Sequence, residues 1–217
     1  MYTFFDVGAN SGTDSLRVAG SRSDAIVYAF EPTPRLIEHL KSCSIGLNNY
    51  IVVPKAVSNY NGETTFYISG NADWGCSSIC EFNDNLEKTW PGRKDFKVTD
   101  QVTVEVIKLI DFIKEHDIES IDYLHVDAQG QDMEVLLGLE EKISIVKEGV
   151  IEMPTSHDTK LYKNQTYLKE DAIKFLKEHG FTIKDVNSND AQCNEVNIFF
   201  RNPNPRVIKF DKVWNYQ

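Results

Sequence analysis

A short apolar segment that ends in an acid and enters a glycine-spaced loop most constrains how this chain can fold. Residues 4–13 read FFDVGANSGT, and a second apolar segment at residues 28–32 reads YAFEP. The first segment predicts a strand whose loop presents a ligand to the N-terminus of the next helix. The second predicts a strand ending in an acid roughly 20 residues later, where acids contact a ribose. We therefore expect a nucleoside-cofactor site.

Strand-like and helix-like segments alternate along most of the chain, which is typical of an α/β fold. No helix is predicted between the last two strands, so these should pair antiparallel. A second alternating pattern at residues 64–68 and 102–106 predicts an accessory β-hairpin. The predicted core is a Rossmann-like, doubly wound, seven-stranded, mostly parallel sheet with the last strand antiparallel. Its strands are expected at residues 4–7, 26–30, 51–53, 121–126, 146–151, 181–186 and 195–200.

The length of 217 residues suits a single domain, which we place at residues 1–201. With 41% hydrophobic and 26% charged residues, the chain can bury a globular core. Residues 202–217 are expected to form a C-terminal tail that packs on the surface of this molecule or of a partner copy, which allows a homodimer.

The charge pattern and the absence of long apolar runs narrow the range of partners. The net charge is −10, and no Lys/Arg cluster would attract a nucleic acid. No apolar run approaches the roughly 20 residues that span a bilayer, and no basic segment precedes the first strand. The four scattered cysteines are expected to be free thiols. The sequence therefore predicts a cytoplasmic protein that acts on small molecules and binds neither nucleic acid nor membrane.

The glycine-spaced loop also indicates which cofactor is bound. Gly8 and Gly12 let the backbone approach a ligand closely, and Asn10 tolerates a left-handed conformation. The spacing does not match the Gly-x-Gly-x-x-Gly of dinucleotide sites. Asp6 would repel a phosphate but would attract an ammonium group. S-adenosylmethionine carries an ammonium and a sulfonium and no phosphate, so it fits better than a nicotinamide dinucleotide.

The second acid completes the predicted cofactor site. Glu31 is expected to accept hydrogen bonds from both ribose hydroxyls, with Pro32 and the segment 56–57 flanking the adenine. The predicted cofactor-binding residues are Asp6, Gly8, Ala9, Asn10, Gly12, Glu31, Pro32, Ala56, Val57 and Asp127.

From about residue 4 to residue 200, the chain resembles the FkbM-type methyltransferases, a family of class I S-adenosylmethionine-dependent enzymes. The resemblance is most specific at residues 122–138, and the family commonly has lysine at His125 and glutamate at Gln129. It implies methyl transfer, usually to an oxygen of a sugar or another small hydroxylated metabolite. The matching segments are 6–12 (DVGANSG), 30–32 (FEP), 56–58 with Gly62, 122–130 (DYLHVDAQG), 134–138 (EVLLG), 151–152 and 179–181.

Methyl transfer to a hydroxyl requires a group that accepts its proton. Asp127, at the end of the predicted strand 121–126, is our first catalytic candidate, as a base or as a group that orients the acceptor. Glu152, at the end of the next strand, is the second. Asp127 could instead cap the following helix, and the two carboxylates could hold Mg²⁺, although we assign no metal. His157, in a loop, is a further candidate base, with a solvated loop histidine as the alternative.

Two neighbouring features bear on the acceptor. Gln129 can orient a base, whereas His125 is expected to be packed and hydrogen-bonded and to point away from Asp127. The long irregular segment 69–99 is expected to carry a lid with Trp74, Ser77 and Ser78.

Two other functions stay open at this point: a nicotinamide-dependent oxidoreductase on a Rossmann sheet, and a non-catalytic module that binds S-adenosylmethionine.

Overall fold

The computed structural model describes residues 1–70, 74–93 and 95–205, without the side chain of Trp74. The predicted packing of the tail therefore lies largely outside the described residues. None of the helices within these ranges is long and apolar enough to cross a membrane. The strands are β1 (Tyr2–Val7), β2 (Ala25–Phe30), β3 (Tyr50–Val53), β4 (Ala56–Val57), β5 (Gly62–Ser69), β6 (Val98–Ile107), β7 (Ile121–Val126), β8 (Val146–Pro154), β9 (Thr182–Ser188) and β10 (Glu195–Arg201). The α-helices are α1 (Thr13–Ser21), α2 (Pro34–Cys43), α3 (Leu86–Thr89), α4 (Leu109–Glu115), α5 (Asp132–Leu137) and α6 (Lys169–Glu178).

Seven strands form one sheet in the order β3-β2-β1-β7-β8-β10-β9. The pairs from β3 to β8 are parallel, whereas β10 runs antiparallel to both β8 and β9. This confirms the predicted doubly wound sheet with a reversed last strand. Because β10 is reversed, its first residue, Glu195, lies opposite Pro154 at the carboxyl end of β8.

The central strands are buried on both faces, which explains why they read as continuous apolar runs rather than alternating ones. Successive residues of β1 point to opposite faces. Phe4 belongs to the cluster that contains Leu40 of α2, whereas Phe5 packs with Phe112 of α4 and Leu124 of β7 on the other side. Helices thus cover both faces and leave the carboxyl ends of the strands as the place for a site.

A second sheet of three strands, in the order β4-β6-β5, stands beside the first. The predicted pair of accessory strands is present as β5 and β6, which pair antiparallel, and β4 joins β6 in parallel. The connection between β5 and β6 is long and contains α3, so the pair is not a tight hairpin. Gly75, Ser77 and Trp90 of this connection line the cavity described below, so it covers the ends of the central strands.

Candidate active site

A cavity of about 290 Å³ lies at the carboxyl ends of the parallel strands. Its volume is close to the lower limit of roughly 300 Å³ for small-molecule sites. One part, which we call the glycine end, includes Gly8 and Glu31. The other part, which we call the carboxylate end, includes Asp127, Glu152 and Glu195. One continuous cavity thus joins the loop that follows β1 to the acids that follow β7 and lie on β8.

The loop after β1 lies very close to the end of β7. Gly8 has φ +80°, and a Cβ atom there would lie 1.9 Å from the backbone oxygen of Asp127. The N–H groups of Gly8 and Ala9 both donate to the carbonyl of Phe30 at 3.0 Å. Asn10 also adopts a left-handed conformation, with φ 50°. Only a residue without a side chain fits at position 8, and this brings backbone to the cavity wall.

Gly12 has a packing role, and it does not line the cavity. It has φ +72° and stands at the N-terminus of α1. A Cβ atom there would lie 2.5 Å from Cδ2 of Leu40 and 2.8 Å from the hydroxyl oxygen of Tyr50. The glycine therefore lets α1 begin against α2 and β3. Ala9 likewise contributes backbone contacts without lining the cavity.

Glu31, at the end of β2, is buried yet reaches the cavity. Its Oε2 accepts a hydrogen bond from the Asn10 N–H at 2.8 Å, and its Oε1 accepts one from the Thr33 N–H at 2.8 Å. Burial raises the pKa of Glu31, and these two hydrogen bonds oppose the rise. The carboxylate is thereby held in one position at the wall. The predicted adenine neighbours Pro32, Ala56 and Val57 line the same end.

Asp6 is buried outside the cavity lining and contacts His125 on the neighbouring strand. Its Oδ1 lies 2.7 Å from Nδ1 of His125. Burial lowers the pKa of His125, but this hydrogen bond and the charges of Asp6 and Asp127 raise it by more. His125 is therefore hydrogen-bonded, as predicted. Asp127 lines the cavity and His125 does not, and whether the two side chains point to opposite faces stays a prediction.

Gln129 bridges the two predicted catalytic carboxylates. Its Nε2 donates to Oδ1 of Asp127 and, at 3.2 Å, to Oε2 of Glu152. Its Oε1 accepts a hydrogen bond from the Tyr162 hydroxyl at 2.7 Å. The backbone of Gln129 has φ 49°, and its carbonyl accepts from the Ser78 hydroxyl at 2.6 Å. Ser78, which belongs to the connection between β5 and β6, therefore helps to hold the Gln129 amide between the two acids.

The two acids differ in their protonation. Burial raises the pKa of Asp127, while the Gln129 hydrogen bond and the charge of His125 lower it. Burial and the charge of Asp127 raise the pKa of Glu152 well above its usual value. Neighbouring buried carboxyl groups cannot both ionise easily. Glu152, whose pKa is raised by the charge of Asp127, therefore holds a proton more readily when Asp127 is charged.

Several residues of the carboxylate end were not anticipated from the sequence. Glu195 and Asn189 line it, and Asn189 Nδ2 donates to Oε1 of Glu152. Asp190 also lines this end, and so does Arg93, which belongs to the connection between β5 and β6. The sequence did contain a signal for Glu195. A strand that runs antiparallel to its neighbours begins at the edge of the sheet where the parallel strands end, so an acid at its first position lies near their carboxyl ends.

Of the other residues predicted to act on the acceptor, only some line the cavity. Ser77 lines the cavity, and its Oγ accepts from the Ser69 N–H at 3.0 Å. Ser78 lies behind the lining, and His157 is exposed and away from it. The side chain of Trp74 lies outside the described residues. Within the described ranges, no three His, Cys, Asp or Glu side chains are arranged to hold a metal ion.

Comparison with known proteins assigns the family. The model of the methyltransferase FkbM domain matches residues 6–183, which include both ends of the cavity. The chain belongs to the FkbM methyltransferase family. Members of this family are S-adenosylmethionine-dependent methyltransferases, so the described fold carries a methyltransferase domain and S-adenosylmethionine is its cofactor.

Individual relatives agree with this assignment. The 2-O-methyltransferase NoeI of Sinorhizobium fredii is 31% identical over 170 residues, which cover 76% of this chain and 67% of NoeI. The methyltransferase sdnD of Sordaria araneosa is 28% identical over 167 residues, which cover 68% of this chain and 64% of sdnD. Aeropyrum pernix fibrillarin, crystallised with natively bound S-adenosyl-L-methionine, shares the fold with a TM-score of 0.52 at 13% identity, over 92% of this chain and 65% of fibrillarin.

Proposed function

We propose that this chain transfers a methyl group from S-adenosylmethionine to a hydroxyl of a saccharide or a similar small hydroxylated metabolite. The observation that carries the proposal is the single cavity that joins the fixed Glu31 carboxylate to the Asp127–Gln129–Glu152 cluster. The similarity to NoeI, a 2-O-methyltransferase, supports an oxygen acceptor.

The glycine end fits the cofactor. Glu31 would accept from the ribose hydroxyls, because each of its oxygens accepts one N–H group and retains a lone pair. Gly8 and Asn10 would line the path of the amino-acid moiety, and Asp127 would contact it where the two ends meet. Asp6 would act from behind the wall through its negative charge. In the part of the chain that the structure describes, no phosphate-binding set of basic side chains lines this end, and Lys55, which does line it, pairs with Glu105 at 2.5 Å.

At the carboxylate end, the chain has to orient a hydroxyl and remove its proton. When bound, the cofactor supplies a methyl group that an in-line oxygen can take up. Asp127 is the group placed to accept the hydroxyl proton, because Glu152 holds its own. Gln129 fixes Asp127 by donation from Nε2. We therefore propose Asp127 as the general base and Glu152 as the neutral partner that contacts the acceptor.

Two measurements test this proposal and its alternatives. Calorimetry should show saturable binding of S-adenosylhomocysteine, which would be weakened if the Glu31 carboxylate were removed; the assignment to the FkbM family has already excluded the nicotinamide-dependent oxidoreductase. Incubation with a trideuteromethyl-labelled cofactor and a set of methyl glycosides should yield a product whose labelled methyl group is on oxygen. Binding of S-adenosylhomocysteine without turnover of any glycoside would favour a non-catalytic module.

We also propose a cytoplasmic location. Cys43, Cys76, Cys80 and Cys193 are all free thiols, which is typical of a reducing compartment. Fractionation of cells that produce the protein, with immunodetection in the cytoplasmic fraction, tests this location.

A further inference from the structure

Glu195 stands out at the carboxylate end because none of the residues that the structure describes hydrogen-bonds its side chain. It is the first residue of β10, it is only 8% exposed, and it lines the cavity. Its backbone N–H donates to Oδ2 of Asp190. Among the described residues, by contrast, no donor lies within hydrogen-bonding distance of its carboxyl oxygens. Asp127, Glu152 and Asp190, the other acids lining this end, each accept hydrogen bonds within the protein.

A carboxyl group that is largely buried, lines a cavity and receives no hydrogen bond from the described residues is available to a bound molecule. Burial, together with the charges of Asp127, Asp132 and Asp190, raises the pKa of Glu195 to about 8. Because Glu195 lines the cavity, a bound molecule can reach this carboxyl group. A carboxyl with a pKa of about 8 is protonated near neutral pH and can both donate and accept, which suits a hydroxyl group of a ligand.

The charges around Glu195 limit what that molecule can be. Among the described residues, the base that lines this end is Arg93, which pairs with Asp95 at 2.5 Å and stacks on Phe96 at 4.1 Å from the ring centre. The acids of the described chain that line the same end are Asp127, Glu152, Asp190 and Glu195. Glu152 and Glu195 are protonated near neutral pH, but burial and the charge of Asp127 would still disfavour a phosphate or carboxylate on the acceptor, whereas neutral hydroxyl groups would be tolerated.

We propose that Glu195 hydrogen-bonds a second hydroxyl of the acceptor, close to the one that is methylated, and that the acceptor carries no anionic group at this end. The inference rests on the proposed function and names the acceptor class of the same site. Asp127 receives the proton of the reacting hydroxyl, and Glu195 selects acceptors in which another hydroxyl stands nearby.

The first experiment tests the charge of the acceptor. Wild-type protein is incubated with S-adenosylmethionine and the methyl glycosides of glucose, galactose and mannose, each beside its uronate counterpart, and S-adenosylhomocysteine formation is followed. At least one neutral glycoside should be turned over, and its uronate should react at least about tenfold more slowly. Equal or faster reaction of the uronate overturns the inference. If no neutral glycoside reacts, the proposed function fails, and the role of Glu195 fails with it.

The second experiment isolates Glu195. Glu195→Leu should raise the acceptor KM roughly tenfold or more, because a hydrogen bond to a carboxyl is lost. Glu195→Gln should raise it less, and the affinity for S-adenosylhomocysteine should be unchanged in both. Among monodeoxy analogues of the accepted glycoside, one should be a poorer substrate than its parent for the wild type but equal to it for Glu195→Leu. Glu148→Gln, on the surface of β8, is the matched control.

Thermal unfolding distinguishes this role from a structural one. An unpartnered buried carboxyl is expected to destabilise the ligand-free fold, so Glu195→Gln should keep or raise the unfolding midpoint. An unchanged acceptor KM in Glu195→Leu overturns the inference. So does a midpoint lowered by several degrees in both variants, because that result assigns Glu195 to the fold.

Discussion

The two ends of the cavity are built in different ways. At the glycine end, backbone groups contributed by adjacent loops hold the key carboxylate, as when Asn10 N–H and Thr33 N–H donate to Glu31. At the carboxylate end, side chains from distant parts of the chain hold one another, as when Gln129 donates to Glu152. Under the proposed function, donor binding would depend on local backbone geometry, whereas acceptor binding would depend on tertiary contacts. Changes at one end should leave the function of the other intact.

The largest effect is expected at the carboxylate end. Asp127→Asn removes the proposed proton acceptor and should lower kcat/KM for the acceptor by roughly 10²- to 10⁴-fold. Initial rates at saturating S-adenosylmethionine measure this effect. Asp185→Asn, exposed on β9, should not change the rate. A rate within threefold of wild type would exclude Asp127 as the base.

The next largest effect is expected at the glycine end, on substitution of Glu31. Glu31→Ala should weaken binding of S-adenosylhomocysteine by at least about 100-fold, since two hydrogen bonds from a ligand to a carboxylate contribute about 1.5–3 kcal/mol each. Glu152→Gln should leave this affinity unchanged. Isothermal titration of both variants compares the two ends directly. Loss of donor affinity in Glu152→Gln would show that the ends are coupled.

A glycine substitution tests the contact between the two ends. Gly8→Ala would place Cβ 1.9 Å from the backbone oxygen of Asp127, and it would require a left-handed alanine. Overpacking and the unfavourable φ together should cost roughly 3 kcal/mol of unfolding free energy. Gly20→Ala is the control, because its Cβ would meet no atom within 4 Å. Urea denaturation should show a loss only in the first variant.

The last prediction concerns a dependence of stability on pH that arises from one buried acid. Burial raises the pKa of Asp132 to about 7, so the folded state keeps a proton that the unfolded state releases near pH 4. Stability from this group is present below pH 4 and is lost as the pH rises to about 7. Asp132→Asn should flatten the fall in the unfolding midpoint between pH 4 and 7. An unchanged pH profile would contradict the raised pKa.

The elements that could be predicted from the sequence are those with strong local patterns. The seven core strands, the reversed β10 and the two long accessory strands were anticipated, because continuous apolar runs and alternation report burial directly. The two-residue strand β4 and the short helix α3 were not, since each is too short to show a period.

The same distinction applies to the site. The loop at residues 6–12 and the acid Glu31 indicated the cofactor, because the shape of that loop depends on glycine positions and backbone hydrogen bonds within a short segment. The sequence by itself therefore determined the fold class, the methyl donor and the strand ends where the acids stand. Only the tertiary structure decided that Gln129 bridges Asp127 and Glu152 and that Glu195 joins them. Those contacts join residues far apart in the chain, and their geometry depends on strand order and on the packing of the covering segment.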